Sequence, residues 1–127
     1  ISTAKRISDG SDETLYLGNI NITRDWGYAP EFADAMFAMA NASQVDNYCI
    51  CTSTGMNLRD IVEIVFNFHG LDMGEHVEID QSLNRYYEHD YVLGDNQTIK
   101  KELGWAPKLF GKNLIEQLIR DEQEILP

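Results

Sequence analysis

Residues 15–28 read Leu-Tyr-Leu-Gly-Asn-Ile-Asn-Ile-Thr-Arg-Asp-Trp-Gly-Tyr, and Ala29-Pro30 carries the chain into an apolar helical segment. Leu15 to Leu17 predict a short apolar strand, Gly18-Asn19 a tight turn, and Arg24-Asp25 a charged pair beside the indole of Trp26. A long cation on a strand-and-turn base can be aimed, as one on a wandering loop cannot. The planar fork of Arg24 suits a phosphate, with which it makes two parallel charge-assisted hydrogen bonds. Asp25 is placed to orient that fork or to bond local backbone, and Trp26 to keep water from one side. The same residues also describe a surface arginine at a helix start, where an exposed ion pair is worth at most about 1 kcal/mol.

The chain has 127 residues, 43% of them hydrophobic, enough for one globular domain with a core. Ten Lys and Arg against 21 Asp and Glu give a formal net charge of −11. Such a balance excludes nucleic acid as a partner, because that binding rests on many cations releasing counterions. A single diphosphate needs only two or three local cations. Cys49 and Cys51 are the only cysteines. On a strand they would share a face at roughly 6.5–7 Å, at the limit of disulfide reach. No His or Cys stands at finger-like spacing nearby, so two buried thiols in a reducing cytoplasm are expected, with no metal. His69, His76 and His89 are spaced too irregularly for a metal site and are expected on the surface or in loops. No apolar run nears bilayer length and no basic-then-apolar leader opens the chain, so the expectation is a cytoplasmic protein without a membrane partner.

Taken in order, residues 1–12 predict the tail of a helix with solvated Lys5 and Arg6, running into the polar turn Ser8–Glu13. Pro30 suits a helix first turn, with Glu31 and Asp34 complementing its dipole. The following Phe32 to Ala40 is apolar nearly all round and wants cover on several sides. Tyr48 to Thr52 reads as a strand buried on both faces, leading to a Ser/Thr-rich turn at 53–56. Asn57 caps a helix with a stripe of Leu58, Ile61, Val62, Val65 and Phe68, widened by Ile64 and Phe66 and stopped by Gly70. His76 to Asp80 alternates like a half-buried strand, and Tyr91 to Leu93 forms another. Asp95 is the expected cap of a helix ended by Gly104, and Trp105 is expected under the last helix. That helix carries Leu114, Ile115, Leu118, Ile119 and Ile125 inward, with Glu116, Arg120, Asp121, Glu122 and Glu124 as a solvated face.

Four stretches, LYLGNINITRDWGYAPEFADAMFAMA, YCICTSTGMNLRDIVEIVF, RYYEHDYVLGD and KKELGWAPKLFGKNLIEQLI, stand in an order and spacing that resemble GDP-mannose 4,6-dehydratases, extended short-chain dehydrogenase/reductase enzymes acting on nucleotide sugars. The resemblance covers nearly the whole chain. It implies an α/β fold: the carboxy-terminal part of such an enzyme, a Rossmann-like sheet remnant plus a small α/β substrate-binding domain. Residues 30–52 would give a helix and a strand to the otherwise missing Rossmann-like domain. It also implies that Leu15, Tyr16, Asn19, Arg24, Arg85 and Glu88 bind the nucleotide sugar, GDP-mannose being favoured, in a homo-oligomer. Arg24 and Arg85 would contact the diphosphate and Glu88 the ribose hydroxyls. The family pattern at 85–90 is Arg-Pro-x-Glu-x-Asp. Arg85, Glu88 and Asp90 fit it, whereas Tyr86 replaces the proline and frees the loop that aims Arg85.

The family's Gly-rich cofactor turn and its Tyr-x-x-x-Lys pair do not occur in this sequence. NADP is therefore expected on a missing amino-terminal part, and no residue here is a candidate for proton transfer. Three functional expectations follow: the sugar-nucleotide-binding portion of a dehydratase, inactive alone; part of another nucleotide-sugar epimerase, dehydratase or reductase; or a non-catalytic self-associating module.

Overall fold

The computed structural model describes residues 1–125. Helix α1 spans Ser2–Ser8, and strands β1 (Leu15–Leu17) and β2 (Thr23–Asp25) precede helix α2 (Ala29–Ala40). Strand β3 (Gly55–Asn57) runs directly into α3 (Leu58–Phe68). Then come α4 (Met73–His76), β4 (Val77–Ile79), a 3-10 turn at Gln81–Leu83, β5 (Tyr91–Val92), α5 (Gln97–Leu103) and α6 (Gly111–Ile125).

Two small sheets result. β1 and β4 pair in parallel, Leu15 opposite Val77. In the other sheet β2 lies between β3 and β5, antiparallel to the first and parallel to the second, with Arg24 opposite Met56 and Val92. The core is where α1, α3 and α6 meet: Ala4 and Ile7, then Val62, Val65 and Phe66, then Leu114, Ile115 and Ile119. Against it pack Leu15, Leu17 and Met56 from the strands and Trp26 just after β2, so both sheets rest on one helical core.

Several expectations hold for the reason given. Asn57 caps α3 by accepting from the Arg59 N–H at 2.9 Å. Gly104 closes α5 in the left-handed region at φ 68°, where a Cβ would be strained. Others are corrected. Tyr48 to Thr52 forms no strand, and only Cys51 and Thr52 within it are buried. A strand requires a neighbour's N–H and C=O groups, and none of the described residues supplies them there. The thiols of Cys49 and Cys51 stand 3.6 Å apart and unbridged, Cys49 exposed. Phe66, 1% exposed, takes the core place expected of Phe68, 46% exposed. The stripe is centred one residue over because α6 covers the Val62–Phe66 side.

Trp105 packs edge-on against Phe32 at 6.1 Å and donates to the Glu31 carbonyl, so it anchors α2 and does not lie under the last helix. The Glu31 carboxylate itself accepts the Lys108 and Leu109 N–H groups. Asp95 bonds the Gln97 N–H at 2.9 Å, while Asn96 holds the cap position. Lys5 and Arg6 are paired, with Asp9 at 2.8 Å and Glu13 at 2.7 Å. On α6, Asp121 and Glu122 are half-buried acceptors from Tyr28 and Ser2, so that face is not wholly solvated. The side chain of Ile125, expected on the inward stripe, lies outside the described residues. His69 and His76 are half-buried, His76 stacked on Phe66 at 6.3 Å. On α2, Ala35 is buried while Met36 and Phe37 stand 60% and 73% exposed, so its apolar flank is uncovered among the described residues.

Candidate functional site

Arg24 occupies the middle of the central strand of a three-stranded sheet, which fixes its Cα from both sides. Its side chain is 24% exposed. Nη1 donates to the Thr23 carbonyl at 2.9 Å, and Nη2 lies 3.6 Å from Glu88 Oε1, a carboxylate 14% exposed. At 3.6 Å the pair is attracted electrostatically but lacks a short hydrogen bond, leaving the guanidinium donors open to a better acceptor.

Arg24 and Glu88 line a cleft of about 320 Å³ with Asn19, Arg85 and Trp26. Gly18, Ile22, Leu58 and Leu83 complete its walls. Three other hollows of about 300, 270 and 360 Å³ hold at most one cation each. Two guanidinium groups against one carboxylate therefore make a local positive field on a chain of net charge −11. Trp26 reaches the cleft because it is two residues beyond Arg24, and its indole is pinned by donating to the Met56 carbonyl at 3.1 Å. Asn19 is held by accepting the Asn21 N–H at 2.9 Å. Arg85 is exposed and makes no ion pair among the described residues; beside it Tyr86 is 92% exposed and meets Tyr87 edge-on at 4.7 Å. Asp90, the last residue of that motif, contributes its carbonyl to the Thr23 N–H at 2.7 Å and so sets β2 beside the 85–90 loop.

Asn19, Arg24, Arg85 and Glu88 are thus brought together, whereas Leu15 and Tyr16 are not. Leu15 faces an apolar hollow of about 230 Å³ lined by Ile61, Val65 and Phe66, which shares only Leu58 with the cleft. Tyr16, on the other face of β1, is 54% exposed and lines neither. Asp25 does not orient Arg24 directly. Its carboxylate accepts from Thr52, Ser53 and Gly94. The apolar wall of Ile22, Leu58 and Leu83 was not anticipated; these residues are distant in sequence, and each reads alone as core.

Among the described residues no His, Cys, Asp and Glu cluster could hold a metal ion, and no helix is long and apolar enough to cross a membrane. Gly18 follows a strand but leads to β2 and not to a helix N-terminus, so the backbone cradle for a pyrophosphate is not formed there.

A family profile described as GDP-mannose 4,6 dehydratase matches residues 1–118. GDP-mannose 4,6 dehydratase 1 of Arabidopsis thaliana is 33% identical over 120 residues, 94% of this chain and 33% of the relative. The Homo sapiens GDP-mannose 4,6 dehydratase is 26% identical, over 92% of this chain and 36% of its own length. The chain thus spans about a third of the length of the curated relatives it matches. Among solved structures, RMD from Pseudomonas aeruginosa, complexed with NADPH, superposes with TM-score 0.82 at 17% identity, covering 98% of this chain and 41% of that one. The UDP-glucose 4-epimerase of Thermotoga maritima, with UDP-glucose, gives TM-score 0.78 at 17% identity, covering 98% and 38%. These neighbours show the fold, the α/β architecture of extended short-chain dehydrogenases/reductases. The profile match along nearly all of the sequence shows more: the chain belongs to the GDP-mannose 4,6-dehydratase family.

Proposed function

We propose that the Arg24–Arg85 cleft binds the diphosphate of a nucleotide sugar, GDP-mannose, for conversion to GDP-4-keto-6-deoxymannose with loss of water. The observation that carries this is the presence of two arginines, 61 positions apart in sequence, on one cleft with a single carboxylate, Glu88, in its lining. On binding, Arg24 exchanges its long contact with Glu88 for phosphate oxygens, and Arg85 closes on the second phosphate from the loop. Glu88, released, accepts the ribose hydroxyls, and Asn19 bonds the nucleotide from the turn after β1. Leu58, Leu83 and the pinned Trp26 keep water from these contacts, which strengthens them. Binding energy from the nucleotide then holds the hexose against reacting groups elsewhere in the protein. NADP would supply the hydride chemistry from a site outside this chain, so no step is assigned to residues 1–127 beyond binding and orientation.

The two arginines see phosphates and not the sugar, so they would serve an epimerase equally well. Calorimetry on the full-length protein with GDP-mannose, UDP-glucose and CDP-glucose separates the readings. Tightest binding of GDP-mannose is expected, and equal affinities would remove the substrate assignment. Arg24→Ala and Arg85→Ala should each weaken GDP-mannose roughly 10- to 100-fold, the loss of a charge-assisted contact. Wild-type affinity in either variant would remove the site.

A further inference from the structure

Asp25 has more hydrogen-bond donors gathered on it than any role in the diphosphate reading requires. One oxygen, Oδ1, accepts the Thr52 N–H at 2.7 Å and the Thr52 hydroxyl at 2.6 Å. The other, Oδ2, accepts the Ser53 N–H at 2.8 Å and the Gly94 N–H at 3.4 Å. Among the described residues no cation pairs with it, so its charge is balanced by backbone and hydroxyl dipoles alone. Strand alternation sends Asp25 to the face opposite Arg24, away from the cleft.

The donors come from the two segments that flank β2. Thr52, 5% exposed, opens the turn that runs into β3, and its hydroxyl also accepts the Thr54 N–H at 3.1 Å. Ser53 lies at φ 57°, a left-handed conformation costly for a residue with a Cβ. Its N–H on Asp25 and its hydroxyl under the Asn96 N–H, 3.0 Å away, hold it there. Gly94 follows β5 on the other side, so close to Cys51 that a Cβ would come within 2.5 Å of its sulfur. One carboxylate therefore ties together the entry to β3, the end of β2 and the exit from β5, the three strands whose pairing fixes the Cα of Arg24.

We propose that Asp25 is a positioning residue for nucleotide-diphosphate recognition: without touching the ligand, it locks the strand ends on either side of β2 so that Arg24 is aimed into the cleft. This rests on the diphosphate reading above. Asparagine is isosteric but cannot replace it, because its NH2 would confront the Ser53 and Gly94 N–H groups, donor against donor.

The test is a double-mutant cycle in the full-length protein, reading GDP-mannose affinity by calorimetry for wild type, Arg24→Ala, Asp25→Asn and the double variant. Asp25→Asn is expected to weaken binding about tenfold in the wild-type background, and less than twofold once Arg24 is already alanine. A merely structural role would lower affinity by the same factor in both backgrounds, and that result overturns the proposal, as does wild-type affinity in Asp25→Asn. Should Arg24→Ala alone bind like wild type, the diphosphate reading falls and this one with it; a weakened Arg24→Ala with an additive Asp25→Asn removes only the positioning role. If Asp25→Asn does not fold, Thr52→Val, which deletes one of the four bonds, replaces it in the cycle. A two- to threefold loss that vanishes in the Arg24→Ala background supports the proposal, and a loss that persists there overturns it.

Discussion

Arg24 and His69 show how differently single side chains declare themselves. A guanidinium between an apolar strand and an Asp-Trp pair was legible as an anion-binding candidate from residue type alone. Its partner was not, because Glu88 is 64 positions away and approaches only when β5 pairs with β2. His69 reads as an ordinary loop histidine, yet among the described residues its buried Nε2 has no hydrogen-bond partner and its Nδ1 reaches only the Ser8 hydroxyl at 3.5 Å. Burial therefore depresses its pKa below the usual 6.5, with Asp9 opposing. A base with a lowered folded value takes up its proton more readily when unfolded. Stability is thus complete above about pH 6.5 and declines as pH falls from there toward the folded value. The melting temperature should drop between pH 7.5 and 5.5, and His69→Gln should flatten that drop; an unchanged slope would show that His69 does not cause it. The carboxylates of Glu13 and Asp80, held below their usual values by Arg6 and by Ser82, act only at lower pH.

At the scale of elements, α3 was the best read and the segment before it the worst. The Asn57 cap, the Asp60 first turn and the Gly70 stop follow from local backbone chemistry, which neighbours along the chain decide. Which of Phe66 and Phe68 enters the core depends on where α6 lies across the helix, and no local rule supplies that. Phe66→Ala should cost about 3–5 kcal/mol in denaturant unfolding, and Phe68→Ala under about 1 kcal/mol. The reverse order would restore the stripe read from sequence. The failed strand at Tyr48 to Thr52 has the opposite lesson: its pattern is that of a strand, but a pattern cannot pair without a partner edge. β3, whose Gly-Met-Asn carries little strand propensity, forms because β2 lies beside it.

For the whole molecule, α2 is the informative surface. Met36 and Phe37 are exposed on a helix whose composition asks for cover, and the chain spans about a third of its relatives' length. We expect residues 1–127 alone to form no 4-keto sugar from GDP-mannose, since the chain carries neither a Gly-rich cofactor turn nor a Tyr-x-x-x-Lys pair. Measurable product from these residues would overturn that. The same polypeptide should self-associate at high concentration, and Met36→Gln with Phe37→Gln should shift size-exclusion elution toward monomer. What the sequence determined by itself was local: the helix caps and stops, the strand at Leu15, and the family, carried by stretches whose order survives along the chain. What only the tertiary structure decided was convergence. Arg24, Arg85, Asn19 and Glu88 meet, Leu15 and Tyr16 turn elsewhere, and Asp25 serves the strand ends, because side-chain direction depends on pairing and packing between segments far apart in sequence.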